Sequence, residues 1–142
     1  MKLYVLGFLF NEKLTQVALI RKTKPEWQAG KYNGIGGKIE KGESPLFAII
    51  REFEEETGGK ANENFWQLYC NMKSYEFEVY TFSAIGDLTD LKTTTEEEVV
   101  IIDVDQVNIL RDKLLSNVPW LIEMAIDKLK NNEFNYSVIN YY

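Results

Sequence analysis

The chain has 142 residues, 45% of them hydrophobic and 27% charged, which is the size and make-up of one globular domain and not of a disordered or fibrous chain. It contains no histidine and a single cysteine, Cys70. That excludes histidine-based acid–base catalysis, histidine-ligated metals, an intrachain disulfide and cysteine-rich zinc sites. With 16 basic against 22 acidic residues the net charge is −6, the wrong sign for a general binder of nucleic-acid polymers.

Residues 2–10 read as a strand and 11–13 as a turn. The opening MKLYVLGFLF is apolar but short and lacks a small-residue cleavage site, so it is not expected to be a leader. No apolar run reaches the ~18 residues of a membrane span. With the lone cysteine, a reducing, cytoplasmic setting is expected. Residues 14–21 form a second predicted strand, with Val17, Leu19 and Ile20 facing the core, and the two strands make a hairpin. Residues 22–33 read as a polar loop carrying Pro25, Trp27 and Gly30. A glycine-rich stretch, 33–37, and a charged turn, 38–43, follow.

Ser44-Pro45 is a helix start, serine suiting the N-cap and proline the first helical position, and Gly58 is a stop. Between them Leu46, Ile49, Ile50 and Phe53 form one apolar stripe. Strands are predicted over 65–72, 75–85 and 98–104, with a loop over 86–95. Pro119 opens a second amphipathic helix to about Lys130, with Leu121, Ile122, Ala125, Ile126 and Leu129 on its apolar side. This order predicts an α/β (α+β) layered fold with a mixed sheet. Trp120 is expected to anchor the second helix, and the aromatic tail from Phe134 to Tyr142 to pack on the core.

The first helix carries the chemistry. Glu52, Glu55 and Glu56 lie at i, i+3 and i+4 and share one flank beside the apolar stripe, while Glu54 points away. Like charges at this spacing repel, so the arrangement calls for a counter-ion. Oxygen-only ligands favour Mg²⁺ or Mn²⁺ held together with substrate phosphates, with Arg51 and Glu43 orienting the ligating oxygens. A solvated acidic helix face is the other reading of the same spacing.

Over residues 37–59 the glycines and charges resemble the Nudix box, G-x5-E-x7-R-E-U-x-E-E-x-G-U, where U is a bulky aliphatic residue. Gly37, Glu43, Arg51, Glu52, Glu55, Glu56 and Gly58 all match. Phe53 and Gly59 depart from it at the two aliphatic positions. The strand order fits the Nudix fold over residues 1–105, and 1–142 is expected to be a single domain. The resemblance implies a mixed sheet sandwiched between helices and a hydrolase that cleaves nucleoside diphosphates linked to another moiety. It implies Mg²⁺, with Mn²⁺ as substitute, on Glu52, Glu55, Glu56 and the Gly36 carbonyl. Arg51, Glu52 and Glu55 are its candidate catalytic residues, the general base being Glu52 or Glu55. A further acid is expected from Glu96-Glu97-Glu98; Glu97 is taken as the candidate ligand, a solvated turn being the alternative for at least two of the three.

The stretch from Trp27 to Lys38 is similar to MutT-like Nudix enzymes that hydrolyse oxidised purine nucleoside triphosphates. The resemblance places Asn33 on the purine; Trp27 or Tyr32 stacks on the base, and Arg21, Lys22, Lys24 and Lys38 are candidates for the phosphates. Asn33 before Gly34 also reads as a plain turn. Asp112 is a loose candidate for a base-reading acid. The expected ligand is a small nucleotide, for a monomer or homodimer. An ADP-ribose or NADH pyrophosphatase and a non-catalytic nucleotide-binding module are the alternatives.

Overall fold

The computed structural model describes residues 1–131 and 136–141. Strands β1 (Lys2–Phe10), β2 (Gln16–Arg21), β3 (Tyr32–Asn33) and β4 (Ile35–Lys38) precede helix α1 (Pro45–Thr57). Then come β5 (Gln67–Lys73), β6 (Phe77–Ile85), β7 (Val99–Asp103), helix α2 (Val118–Lys130) and β8 (Ser137–Asn140). The sheet runs β3-β2-β1-β6-β5-β8, with β4 also paired to β1 and β7 to β2. β1 is central: it is antiparallel to β2 and β4, and parallel to β6 from Lys2↔Phe77 to Phe10↔Ile85.

Alternation along the central strands sends side chains to two cores. Val5 and Leu9 of β1 with Ala18 and Ile20 of β2 pack under α1, against Ala48, Ile49 and Phe53. Leu6, Phe8 and Phe10 with Val17 and Leu19 pack under α2, against Val118, Leu121, Ile122 and Ala125. A sheet buried on both faces reads as near-continuous apolar sequence, as MKLYVLGFLF does. The Tyr69 hydroxyl donates to the Leu121 carbonyl at 2.8 Å, tying α2 to β5. Trp120 packs, half-buried, against the α2-side core.

Helix α1 has the predicted ends. The Ser44 hydroxyl accepts from the Phe47 N–H, and Gly58 is left-handed (φ 75°), its N–H donating to the Glu54 carbonyl. Beneath the helix Phe53 stacks on Phe65 at 5.7 Å between ring centroids and meets Trp66 edge-on at 5.4 Å. Each ring lies over a glycine: a Cβ would strike Phe53 at Gly59, Trp66 at Gly7 and Phe65 at Gly86. The two departures from the box pattern are therefore one packing solution, since the larger Phe53 ring occupies the space that an aliphatic residue at 59 would take.

Other elements differ from expectation. Strand β2 starts at Gln16 and not at residue 14, because the Asn11 side chain accepts from the Thr15 and Gln16 N–H groups and Leu14 is left-handed (φ 59°). The glycine-rich stretch is not loop throughout: β4 pairs with β1, and a Cβ at Gly36 would run into the Val5 carbonyl. The polar loop closes on a short strand, β3, paired with Ile20 and Arg21. Helix α2 begins at Val118, one residue before Pro119. The chain adds β8, parallel to β5, which the sequence pattern does not announce. Tyr141 lies 6.3 Å from the Phe77 ring and is partly exposed, while Phe134 and Tyr142 fall outside the described residues.

Candidate active site

The carboxylates of α1 meet the glycines of β4. Gly37 makes room for Glu52: a Cβ there would stand 2.5 Å from Glu52 Oε1. The neighbouring Gly36 N–H donates to Glu56 Oε1 at 2.9 Å. Glu56 lies three residues after Phe53 on the buried face of the helix, whereas Glu54 points outward and pairs with Lys60.

Arg51 organises the outer side. Its guanidinium grips Glu43 through two bonds, Nε to Oε2 at 2.7 Å and NH2 to Oε1 at 2.9 Å. NH2 also donates to the Lys38 carbonyl at 3.0 Å, while NH1 reaches Glu52 Oε1 at 2.7 Å and Glu55 Oε2 at 3.2 Å. A bidentate arginine of this kind fixes orientation as well as charge. Glu55 remains the outermost of the trio, with 56% of its side chain exposed. The turn Lys38–Glu43, Arg51, Glu52 and Glu55, together with Met1 and Leu3, line an open cleft of about 830 Å³.

The inner side is completed from the β6–β7 loop. The Lys92 N–H donates to the Thr57 carbonyl at 3.0 Å and the Thr94 hydroxyl to the Glu55 carbonyl, pinning the loop to the end of α1. Three residues on, Glu97 turns inward. Its Oε2 accepts from the Thr23 N–H at 2.7 Å and hydroxyl at 3.2 Å, and its Oε1 from Lys22 Nζ at 3.1 Å. Glu96 and Glu98 are exposed. Among the three consecutive acids, Glu97 is thus the one held inward by Lys22 and Thr23, with its charge acting on Glu56 of the box.

Proton affinities follow from these surroundings. Burial pushes Glu56 up to about 8, against the Gly36 N–H, with the negative fields of Glu52 and Glu97 adding to the rise and Lys22 countering it. Burial raises Glu52 as well, despite Arg51. The Arg51 hydrogen bond holds Glu43 below the usual range. Burial works upward on Glu97 too, but the Thr23 N–H and the Lys22 ammonium outweigh it and keep that carboxyl low. Among the described residues, no three acidic side chains stand together as a finished metal cage. Their oxygens are engaged by Arg51, Lys22, Thr23 and the Gly36 N–H instead. The donor set itself is all oxygen, partly buried and in need of positive charge, which fits a hard divalent cation.

The NUDIX domain profile matches residues 2–122. The chain belongs to the Nudix family. Solved structures agree on the fold. The MutT protein from Methanosarcina mazei Go1 superposes with a TM-score of 0.68 at 22% identity, covering 92% of this chain and 96% of that one. The MutT protein from Bacillus halodurans gives 0.71 at 20%, covering 99% and 90%. The NUDIX domain of Shewanella oneidensis NrtR, complexed with ADP ribose, gives 0.71 at 18%, covering 89% and 87%. The chain is a pyrophosphohydrolase of the Nudix type, with the expected mixed sheet between two helices. Nudix hydrolases generally work with a divalent metal on small nucleotides. Among the described residues no helix is long and apolar enough to cross a membrane.

The remaining candidates are spread around this Nudix site. Lys38 is exposed on the wall of the carboxylate cleft. Arg21 lies with Lys22, Thr23, Gly30, Glu96 and Glu98 in a second groove of about 400 Å³. Trp27 sits on a single 3-10 turn with 71% of its surface exposed. Asn33 ends β3, paired with Ile20, and its Oδ1 accepts from the Gly34 N–H at 2.8 Å, so this step links two strands and is not the plain turn of the alternative reading. Asp112 is exposed, and its carbonyl accepts from Lys31 Nζ. Sequence reading set Lys22 among the phosphate candidates and passed over Thr23; no local signal ties either to an acid more than 70 positions away.

Proposed function

We propose that this Nudix hydrolase converts a (deoxy)nucleoside triphosphate, of the oxidised-purine type, to the monophosphate and pyrophosphate, with Mg²⁺ and with Mn²⁺ as substitute. The observation that carries the reading is the meeting of Glu56 with the Gly36 N–H beside Glu52 and Glu97. Glu52, Glu55, Glu56, Glu97 and the Gly36 carbonyl are the proposed metal ligands. A bound Mg²⁺ supplies charge neutralisation on the phosphates and a more acidic water.

The chain's own residues do the rest. Arg51, clamped on Glu43, holds Glu52 and Glu55 in place. Glu55 is the exposed acid facing the cleft, and its carboxylate takes the proton of the attacking water. Lys38 lies on the cleft wall and Arg21 in the second groove, where cations suit a polyphosphate. With its Oδ1 engaged by Gly34, Asn33 offers its Nδ2 donors to an acceptor edge of a purine. Trp27, exposed on the turn that precedes the groove-lining Ala29 and Gly30, provides a stacking face. The single buried cysteine supports a reducing, cytoplasmic setting.

A second reading, an ADP-ribose or NADH pyrophosphatase, is favoured by the likeness to an ADP-ribose-bound NUDIX domain. A purified-protein panel decides. Pyrophosphate released from triphosphates with Mg²⁺, faster for oxidised purines, supports the first reading. AMP from ADP-ribose or NADH moves the protein to the second. Binding without turnover of any member, with Mn²⁺ also tried, sets aside both substrate readings.

A further inference from the structure

Glu97 is held from two sides by groups of different kind. Oε2 is moored by the Thr23 N–H at 2.7 Å and the Thr23 hydroxyl at 3.2 Å. Oε1 is covered by the Lys22 ammonium at 3.1 Å. The pair is largely shielded from solvent, with 12% of the Glu97 and 19% of the Lys22 side chain exposed. The backbone that carries Glu97 is tied to the end of α1 through Lys92 and Thr94, so the carboxylate has little freedom to leave. The charges of Glu97 and Lys22 both reach Glu56, which places the pair within the field of the box.

Mooring one oxygen while capping the other gives the two partners opposite consequences for an incoming cation. Thr23 keeps the carboxylate aimed at the box. Lys22 occupies the oxygen that a cation would use and adds a repelling positive charge. We infer that Lys22 and Thr23 are opposed positioning residues for Glu97: Lys22 is a built-in counter-cation that a divalent metal must displace, and Thr23 is the mooring that keeps Glu97 a ligand. This inference rests on the reading of the box as a divalent-cation site.

Mn²⁺ binding to the 142-residue chain without nucleotide, measured by calorimetry or by the paramagnetic signal of free Mn²⁺, tests it. Lys22→Met is expected to tighten Mn²⁺ about threefold to tenfold, since one oxygen is uncapped and one positive charge removed. Thr23→Val keeps the shape and the backbone N–H but loses the hydroxyl, and is expected to weaken binding about threefold; Thr23→Ser restores it. Glu97→Gln is expected to weaken binding and to erase the Lys22→Met gain. A purely structural role would move the Lys22 and Thr23 variants in the same direction. That outcome, or indifference to Glu97→Gln while Glu56→Gln abolishes binding, overturns the inference and leaves the metal reading standing. If Glu56→Gln and Glu52→Gln also leave Mn²⁺ binding untouched, the metal reading itself fails and the inference with it.

Discussion

Glu56 holds its proton far more tightly than a free carboxyl, and the sign of that effect is testable. Folding raises its pKa from 4.5 to about 8 in the metal-free protein. A carboxyl that prefers to be protonated in the fold contributes stability that is full below pH 4.5 and is lost as pH climbs toward 8. Stability of the metal-free protein should therefore fall across that window, by on the order of a few kcal/mol, and Glu56→Gln should shrink the fall, leaving the part that Glu52, also raised by burial, contributes with the same sign. An undiminished slope in Glu56→Gln would place its origin elsewhere. Glu43 and Glu97 act in the opposite sense and below pH 4.5, because their carboxyls are held low, so they do not mask it. Glu55→Gln should cut kcat by orders of magnitude while the melting temperature stays near wild type, since its carboxylate is exposed and bonded to Arg51; near-normal turnover would remove Glu55 from the mechanism. Spacing places the three glutamates on one flank but does not give their depth. That depth had a signal: Ile49, Phe53 and Glu56 fall at i, i+4 and i+7, on a single stripe. The choice among Glu96, Glu97 and Glu98 had none, because it depends on Lys22 and Thr23, far away in sequence.

Helix α1 and strand β4 meet so closely that side-chain size becomes chemistry. At Gly37 an added methyl would press on Glu52 Oε1 at 2.5 Å. Gly37→Ala should lower kcat far more than it lowers the melting temperature; equal, small losses in both would mean that Glu52 simply steps aside. At the far end of the helix, Gly59→Val should destabilise the fold by about 1–3 kcal/mol through overpacking against Phe53. Adding Phe53→Leu should return much of that loss, and a double variant no better than the sum of the single ones would separate the two positions. The ends of α1 were legible because Ser44, Pro45 and Gly58 are local signals. Strand β4 was not, since glycines look like loop until the pairing with β1 shows why nothing larger fits. The same holds for β8, whose partner β5 lies more than 60 residues earlier.

On the scale of the molecule, two apolar cores share one sheet, and the acidic cluster sits where one of those layers meets its helix. A protein built this way gains stability from any ion that binds the folded cluster alone. Adding Mg²⁺ or Mn²⁺ should raise the melting temperature more at pH 8 than at pH 5, because at the lower pH the ion must first displace the Glu56 proton. A pH-independent rise would point to a cation site away from Glu56. The layered class follows from element order and apolar alternation. The parallel contact of β1 with β6 does not, for it joins segments some 75 residues apart. The three tryptophans end in three different surroundings: Trp66 is 3% exposed among aromatic rings, Trp120 is half-buried, and Trp27 is 71% exposed on the turn Glu26–Gln28. The chain thus carries its own optical contrast. Blue-shifted emission from Trp66 reports whether the core under α1 is intact. Red-shifted emission from Trp27 is open to quenching by a stacked base, so folding and occupancy can be followed at separate wavelengths without a label.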